Sequence, residues 1–215
     1  MRQSIEANIP IHSIEDIMNR TVEYYNRNAD DYYWLTVGLD MDATRQRFAA
    51  YLPAEASVID LGCGSGRDVM AFGNMGHNAV GLDAAEELVR LAKERLEIRA
   101  FTGDMSSWTA SEPYNGIWCC ASLIHLNDRE TRRFFEKLDR NLKPGGVLYI
   151  SVKSGIQTGE DSDGVYQRNF TEEELRELAG TVPGLEVREL WYTEDSMKRD
   201  GFRWINLIAQ RNSDQ

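Results

Sequence analysis

The chain is short of the residues that staple or anchor a fold. It has three cysteines in 215 residues, at 63, 119 and 120. An odd count with two adjacent offers neither a disulfide framework nor zinc-ligand spacing, so no metal is expected. A reducing compartment, the cytoplasm, fits that usage. No run of about 18 apolar residues exists, so no membrane span is expected. The opening stretch MRQSIEANIPIHSIEDIMNR lacks an apolar core of signal-peptide length. Basic residues are also in deficit: 24 Lys and Arg against 35 Asp and Glu leave a formal charge of −11. That field repels nucleic-acid phosphate. The most basic segment, RETRRFFEKLDRNLK at 129–143, interleaves its cations with acids at helical spacing and reads as a solvated helix face. Internal repeats and low-complexity linkers are absent, so one domain over 1–215 is expected, with 1–42 as a helical N-terminal extension.

What is present is an alternation of short apolar runs with amphipathic ones. Helical spacing predicts helices over 14–28, 42–52, 67–75, 84–96, 128–142 and 171–179. Pro53 stops the second, Lys143-Pro144-Gly145-Gly146 closes the fifth, and Thr171 to Glu174 reads as a capping box for the last. Strands are predicted over 57–61, 77–82, 98–102, 115–122, 147–153, 185–193 and 202–210. Strand–helix alternation implies a mostly parallel α/β sheet covered on both faces. The last two strands share only the loop 194–201, too short for a parallel crossover, so the final strand runs antiparallel. Ligands of such a sheet bind outside the carboxyl ends of its strands. Met18, Met70 and Met75 sit at helical positions expected to face the core, and Trp191 and Trp204 read as packing residues on the last strands.

The first strand runs into VIDLGCGSGRD, with glycines at 62, 64 and 66. Glycine lets a backbone turn sharply and approach a ligand closely, and the helix that follows offers free N–H groups to an anion. A dinucleotide fingerprint would place its third glycine at position 67, where Arg67 stands. The second strand ends in Asp83, within AVGLDA, a carboxylate able to accept from both hydroxyls of a ribose. The third ends in Gly103-Asp104-Met105, where an acid can meet an adenine amino group and a thioether can lie against the base.

VIDLGCGSG, AVGLDA, TGDM, YNGIWCCASLIHL and LKPGGVLYISV, in that order, resemble the class I S-adenosylmethionine-dependent methyltransferases over about residues 24–211. DLGCGSGRD, SVKSG, FTEEELREL and WINLIAQ resemble the small bacterial tellurite-resistance and small-molecule type. The resemblance implies a Rossmann-like seven-stranded sheet of order 3-2-1-4-5-7-6. It implies S-adenosyl-L-methionine as cofactor and S-adenosyl-L-homocysteine as product. Gly62, Gly64 and Gly66 would carry the methionine part, Asp83 the ribose, and Asp104 with Met105 the adenine. Cys63, Ala84 and Ala121 complete the implied cofactor set. Arg67 would meet the methionine carboxylate through its planar fork, or it is a surface arginine in a first helical turn. Asp60 either touches the ligand or ties down the glycine-loop backbone.

The acceptor is expected to be a small molecule, methylated on O, N or S, with neither nucleic acid nor membrane as partner. His125, in CASLIHL, is the candidate base for an acceptor that must lose a proton; the alternative is a structural histidine lining the pocket. The aromatic run YYNRNADDYYW sits where relatives fold a lid, and Tyr25 and Tyr33 are its candidate pocket residues. Lys153 at the end of the fifth strand is a candidate acceptor-side cation, whereas Arg168 is expected to pair with the acids of GEDSDG. Two other readings stand beside this one. One is RNA or protein methylation, against which the acidity counts, as does the lack of an Asn/Asp-Pro-Pro-Tyr/Phe tetrapeptide after strand four. The other is a cofactor-binding regulator without turnover.

Overall fold

The computed structural model describes residues 14–213, with side chains from residue 19 onward. Expectations placed on residues 1–13, and on the Met18 side chain, lie outside the described residues. In chain order the helices are α1 Ile14–Arg27, α2 Ala29–Thr36, α3 Asp42–Ala49, α4 Arg67–Asn74, α5 Glu86–Leu96, α6 Asp128–Glu136, α7 Leu138–Asn141 and α8 Glu172–Gly180. The strands are β1 Ser57–Leu61, β2 Asn78–Asp83, β3 Ala100–Thr102, β4 Tyr114–Cys120, β5 Leu142–Ser154, β6 Gly159–Glu160, β7 Tyr166–Gln167, β8 Leu185–Thr193 and β9 Arg203–Arg211.

Seven strands form one sheet in the order β3-β2-β1-β4-β5-β9-β8, with β9 antiparallel to both its neighbours. This is the expected order, with the hairpin β6–β7 adding two to the strand numbers. The central strands are apolar at consecutive positions because both of their faces are covered. Period-two alternation sorts the side chains. Ile59, Leu61, Ile117 and Cys119 join the core under α6, α7 and α8, while Val58 and Trp118 join Phe48, Phe72 and Tyr149 on the opposite face. Asp60 shares that second face, so an acid sits inside the sheet's apolar layer and must be answered from the same side.

Several elements differ from expectation. The helix expected over 128–142 breaks near Lys137 into α6 and α7, and β5 starts at Leu142, pairing with Tyr114 ahead of the Lys-Pro-Gly-Gly run. The capping box lies at Asn127 and Glu130, whose side chains each accept from the other's backbone N–H. At α8 only Thr171 caps, because Glu174 is taken by Arg168. The hairpin β6–β7 and the helix α2 were not expected. Helix α2 carries Asp30 and Asp31 in its first turn, where their charge suits the helix dipole. Met75 is exposed, not in the core. No helix among the described residues is long and apolar enough to cross a membrane.

Candidate active site

Two cavities open at the carboxyl ends of the central strands. The larger, about 550 Å³, is lined by Gly62, Gly64, Asp83, Ala84, Asp104, Met105 and Ala121, with Tyr25, Tyr32 and His125. The smaller, about 300 Å³, is lined by Asp60, Cys63, Arg67, Ser151, Lys153 and Trp204, among others. They meet at Tyr25, Tyr32, Gly62, Gly64, Cys120, Ala121 and His125, which border both.

The three glycines serve three different neighbours. At Gly62 (φ +81°) a Cβ would lie 2.3 Å from the Cβ of Ser122. At Gly64 (φ +50°) it would press the Tyr32 ring at 3.1 Å, on the cavity wall. At Gly66 (φ +79°) it would meet Ile98 at 2.5 Å and Ala92 of α5 at 2.9 Å. Gly66 therefore lets α4 approach α5, and it borders neither cavity. The expectation that all three glycines face a ligand is corrected at that position.

Asp83 stands at the floor of the larger cavity. Its Oδ2 accepts from Gly64 N at 2.8 Å and its Oδ1 from Ala85 N at 2.9 Å. Burial raises its pKa, and the backbone N–H groups of Ala85, Gly64 and Ala84 oppose that rise. Each oxygen keeps a lone pair for a ligand. Asp104 holds its own loop by accepting from Ser106 N and Oγ, both at 2.8 Å. Met105 is buried in the wall beside it. Ser122 Oγ, also on this wall, is buried with no hydrogen-bond partner among the described residues. A buried hydroxyl without a partner is costly, and a polar ligand in the cavity would satisfy it. Together with the Asp83 lone pairs, it fits a nucleoside-bearing group such as S-adenosylmethionine.

Arg67 is not a surface residue. Its Nε and Nη2 clasp Asp68 at 3.0 and 2.7 Å, and Nη1 lies 3.4 Å from Thr36 O at the end of α2. The fork expected for a ligand carboxylate is thus filled from within, although the residue still lines the smaller cavity. Burial would lower the Arg67 pKa, but Asp68 raises it further. Asp60 lines the same cavity and makes no hydrogen bond through its carboxyl group among the described residues. Burial, then repulsion from Asp68, pushes its pKa well up.

His125 is pinned on both sides. Nδ1 is 2.7 Å from Tyr166 O, and Nε2 is 3.0 Å from Tyr25 Oη. Burial lowers its pKa to about 4, against the pull of the Tyr166 carbonyl. It is therefore neutral at pH 7. Burial raises Tyr25 well above the usual phenol range, and Tyr32 to about 12, so both stay protonated. Tyr33 is corrected: it packs against Ala85, Leu88 and Leu91 under the Arg95 guanidinium and touches neither cavity. One residue along a helix is a rotation of about 100°, which puts Tyr32 on the cavity side instead. Lys153 is buried, bonded to Gln167 Oε1 and set 4.6 Å from the Phe202 ring. Burial, then Arg199, lowers its pKa. Arg168 pairs with Asp128 and Glu174, not with the acids of GEDSDG. Trp204 borders the smaller cavity and donates to Asp195, 3.0 Å away, so it does more than pack.

The histidine's titration has a measurable consequence. A neutral form favoured by the fold stabilises it above the unfolded pKa of about 6.5, and that stability is lost as pH falls toward 4. Urea midpoints of wild type and His125→Gln should therefore converge between pH 7.5 and pH 5. A constant gap would refute the buried neutral imidazole. Asp60 and Asp83, whose raised pKa values act in the opposite sense, are common to both proteins and cancel in the comparison.

The comparisons agree with this fold. A methyltransferase-domain family profile matches residues 58–146. The trans-aconitate 2-methyltransferase of Azoarcus sp. is 30% identical over 128 residues, 57% of this chain and 50% of that protein. The 2-heptyl-1-hydroxyquinolin-4(1H)-one methyltransferase of Mycobacteroides abscessus is 29% identical over 154 residues, 67% of each chain. The chain thus spans half to two thirds of the length of these relatives. The crystal structure of Burkholderia thailandensis 1,6-didemethyltoxoflavin-N1-methyltransferase, with 1,6-didemethyltoxoflavin and S-adenosylhomocysteine bound, superposes with a TM-score of 0.76. It is 20% identical, and the match covers 98% of this chain and 99% of that one. Its fold is the one described above. With the glycine loop, Asp83 and the strand order in place, the chain has the Rossmann-like fold of the class I methyltransferases, and its residues 58–146 are similar to the methyltransferase-domain family.

Proposed function

We propose that the protein methylates a small molecule held in the smaller cavity, using a cofactor held mainly in the larger one. The observation that carries this reading is the junction of the two cavities at Gly62, Ala121, Tyr25 and His125. In this reading Asp83 takes the ribose hydroxyls, Asp104 and Met105 the adenine, and the backbone at Gly62 and Gly64 the methionine part. Bound S-adenosylmethionine supplies an activated sulfonium methyl, so alignment and exclusion of water are the main tasks left to the protein. Helices α1 and α2 serve the second task, since Tyr25 and Tyr32 reach both cavities from them.

An acceptor O–H or N–H becomes strongly acidic as its new bond to carbon forms. Its proton can then pass to Tyr25 Oη while the Tyr25 proton moves to His125 Nε2. A histidine with a pKa near 4 is a weak base, yet it suffices for a proton already made acidic. The smaller cavity counts six carboxylates, Asp60, Asp68, Asp161, Asp163, Glu194 and Asp195, against three cations, Arg67, Lys153 and Arg199. That balance supports a neutral or cationic acceptor over the soft anion suggested by the tellurite-type resemblance, and it weighs against nucleic acid.

The direct test is calorimetric titration with S-adenosylmethionine and S-adenosylhomocysteine, followed by an acceptor panel read by S-adenosylhomocysteine release. Micromolar binding and turnover of at least one small acceptor support the reading. Absence of binding to both ligands refutes it. Asp83→Ala should weaken S-adenosylhomocysteine by about 1.5–3 kcal/mol, roughly 10- to 150-fold, as expected for charge-assisted hydrogen bonds. Unchanged affinity with an intact fold would remove Asp83 from the site.

A further inference from the structure

The hydrogen-bond chain at the cavity junction fixes which way its protons point. Tyr166 O is a carbonyl and can only accept, so His125 Nδ1 carries the hydrogen of that 2.7 Å bond. A neutral imidazole then has a bare Nε2, which can only accept. The 3.0 Å contact with Tyr25 must therefore be donated by the Tyr25 hydroxyl. With its one proton committed to the histidine, the Tyr25 oxygen offers only lone pairs to the cavities. Backbone geometry holds the chain in place, since Tyr166 N donates in turn to Thr21 Oγ1 of α1 at 3.0 Å. Helix α1, which carries Tyr25, and strand β7, which carries the Tyr166 carbonyl, are thereby locked to one another.

We propose that Tyr25 selects acceptors by a hydrogen bond that the acceptor itself must donate, so that the methylated atom is a protonated hydroxyl or N–H of an uncharged or cationic molecule. This deepens the proposed methyltransferase reading and rests on it. A carboxylate or thiolate has no hydrogen to give, and it would set lone pair against lone pair at the Tyr25 oxygen. The surroundings select in the same direction. Of the three cations bordering the smaller cavity, Arg67 and Arg199 are already ion-paired, with Asp68 and Asp195. Asp161 and Asp163 lie exposed at its rim. An anionic acceptor therefore finds Lys153 as its one cation without a carboxylate partner among the described residues, and meets several acids on the way in. A methylated hydroxyl or secondary amine has also lost the hydrogen that Tyr25 reads, which helps it leave.

Two measurements test this without a known substrate. The first is the nitrogen NMR of His125 in the intact protein at pH 7, which reports its tautomer. The proton is expected on Nδ1 with Nε2 bare; a proton on Nε2 overturns the proposal, because Tyr25 would then turn its own hydrogen to the cavity. The second is ligand-observed binding of matched fragments in the presence of S-adenosylhomocysteine: phenol against anisole, 8-hydroxyquinoline against 8-methoxyquinoline, aniline against N,N-dimethylaniline, with benzoate and thiophenolate as anions. The donor of each pair should bind about tenfold tighter, the worth of one hydrogen bond. Tyr25→Phe should erase that preference. His125→Leu, which frees the Tyr25 hydroxyl to rotate, should let the methoxy partners catch up. Preference for the anions, equal binding within pairs, or binding of none of the donors overturns the proposal. Binding of S-adenosylhomocysteine alone, measured by calorimetry, reports separately on the methyltransferase reading.

Discussion

Asp68→Ala is expected to lose about 3–5 kcal/mol of stability, the cost of leaving buried charges without their partner. Asp68 is the hub of a buried network beneath the glycine loop. It accepts from Arg45 Nη1 at 2.6 Å, from Arg67 through Nε and Nη2, and from Trp118 Nε1 at 3.1 Å. Arg45 belongs to α3, Arg67 to α4 and Trp118 to β4, so one carboxylate joins three elements. Its removal would leave the buried Arg45 guanidinium, whose Nε lacks a partner among the described residues, with the exposed Asp42 as its remaining counter-ion, and would release Arg67 from its clasp. Burial raises the Asp68 pKa, but Arg67 and then Arg45 outweigh it, and the carboxyl ends below its usual range. A lowered folded pKa means that this contribution is present above the unfolded value near 3.9 and fades as pH falls through the folded one. Urea denaturation of Asp68→Ala at pH 7 measures the loss. A change under about 1 kcal/mol, the range of an exposed ion pair, would show that the network is solvated. Asp68→Asn, which keeps acceptor oxygen but not charge, should fall between the two proteins.

The second large effect is expected at Gly62. Gly62→Ala should lose about 2–5 kcal/mol, combining left-handed backbone strain with overpacking. The new methyl would sit 2.3 Å from Ser122 Cβ, an overlap that no rotamer change relieves, because both atoms are fixed to backbone. Ser122 must retreat and drag with it Ala121, itself held at φ +59°, at the junction of the cavities. Cofactor affinity should therefore fall along with stability. Gly64→Ala is the useful contrast. It sits at the same loop, but its methyl meets the Tyr32 ring at 3.1 Å, so a small tilt of a side chain can accommodate it. Thermal melts and S-adenosylhomocysteine titrations of both variants would rank them. Equal damage at the two positions would contradict the packing described here.

These two positions illustrate what the sequence does and does not reveal. The order of the main sheet was legible because fully buried strands read as short apolar runs, and because the loop 194–201 is too short for a parallel crossover. The acids at strand ends, Asp83 and Asp104, were legible for the same reason: a strand end is a position, and positions follow from pattern. Partners were not. Arg67 looked free because nothing in the string says that its neighbour Asp68 turns the same way. Tyr32 and Tyr33 could not be separated, since adjacent identical residues carry no phase information about the helix beneath them. Arg168 finds Asp128 and Glu174 only after folding brings α6 and α8 to β7. The hairpin β6–β7 is two residues per strand, shorter than any periodicity can register, yet it supplies the Tyr166 carbonyl that orients His125. Ser122, whose buried hydroxyl lines the larger cavity, had no sequence signal beyond its place just after β4.

The placing of β9 between β5 and β8 bears on how the chain is made. Among the described residues, strand β8 is joined to the sheet solely through β9, which follows it. As the chain leaves the ribosome, β8 emerges before the strand that will hold it, and β5 waits with an open apolar edge until residues 203–211 arrive. Both are templates for unwanted pairing in that interval. Closure of this half of the sheet is thus a late event, and chains halted within residues 185–202 are expected to be the aggregation-prone species on the way to the finished protein.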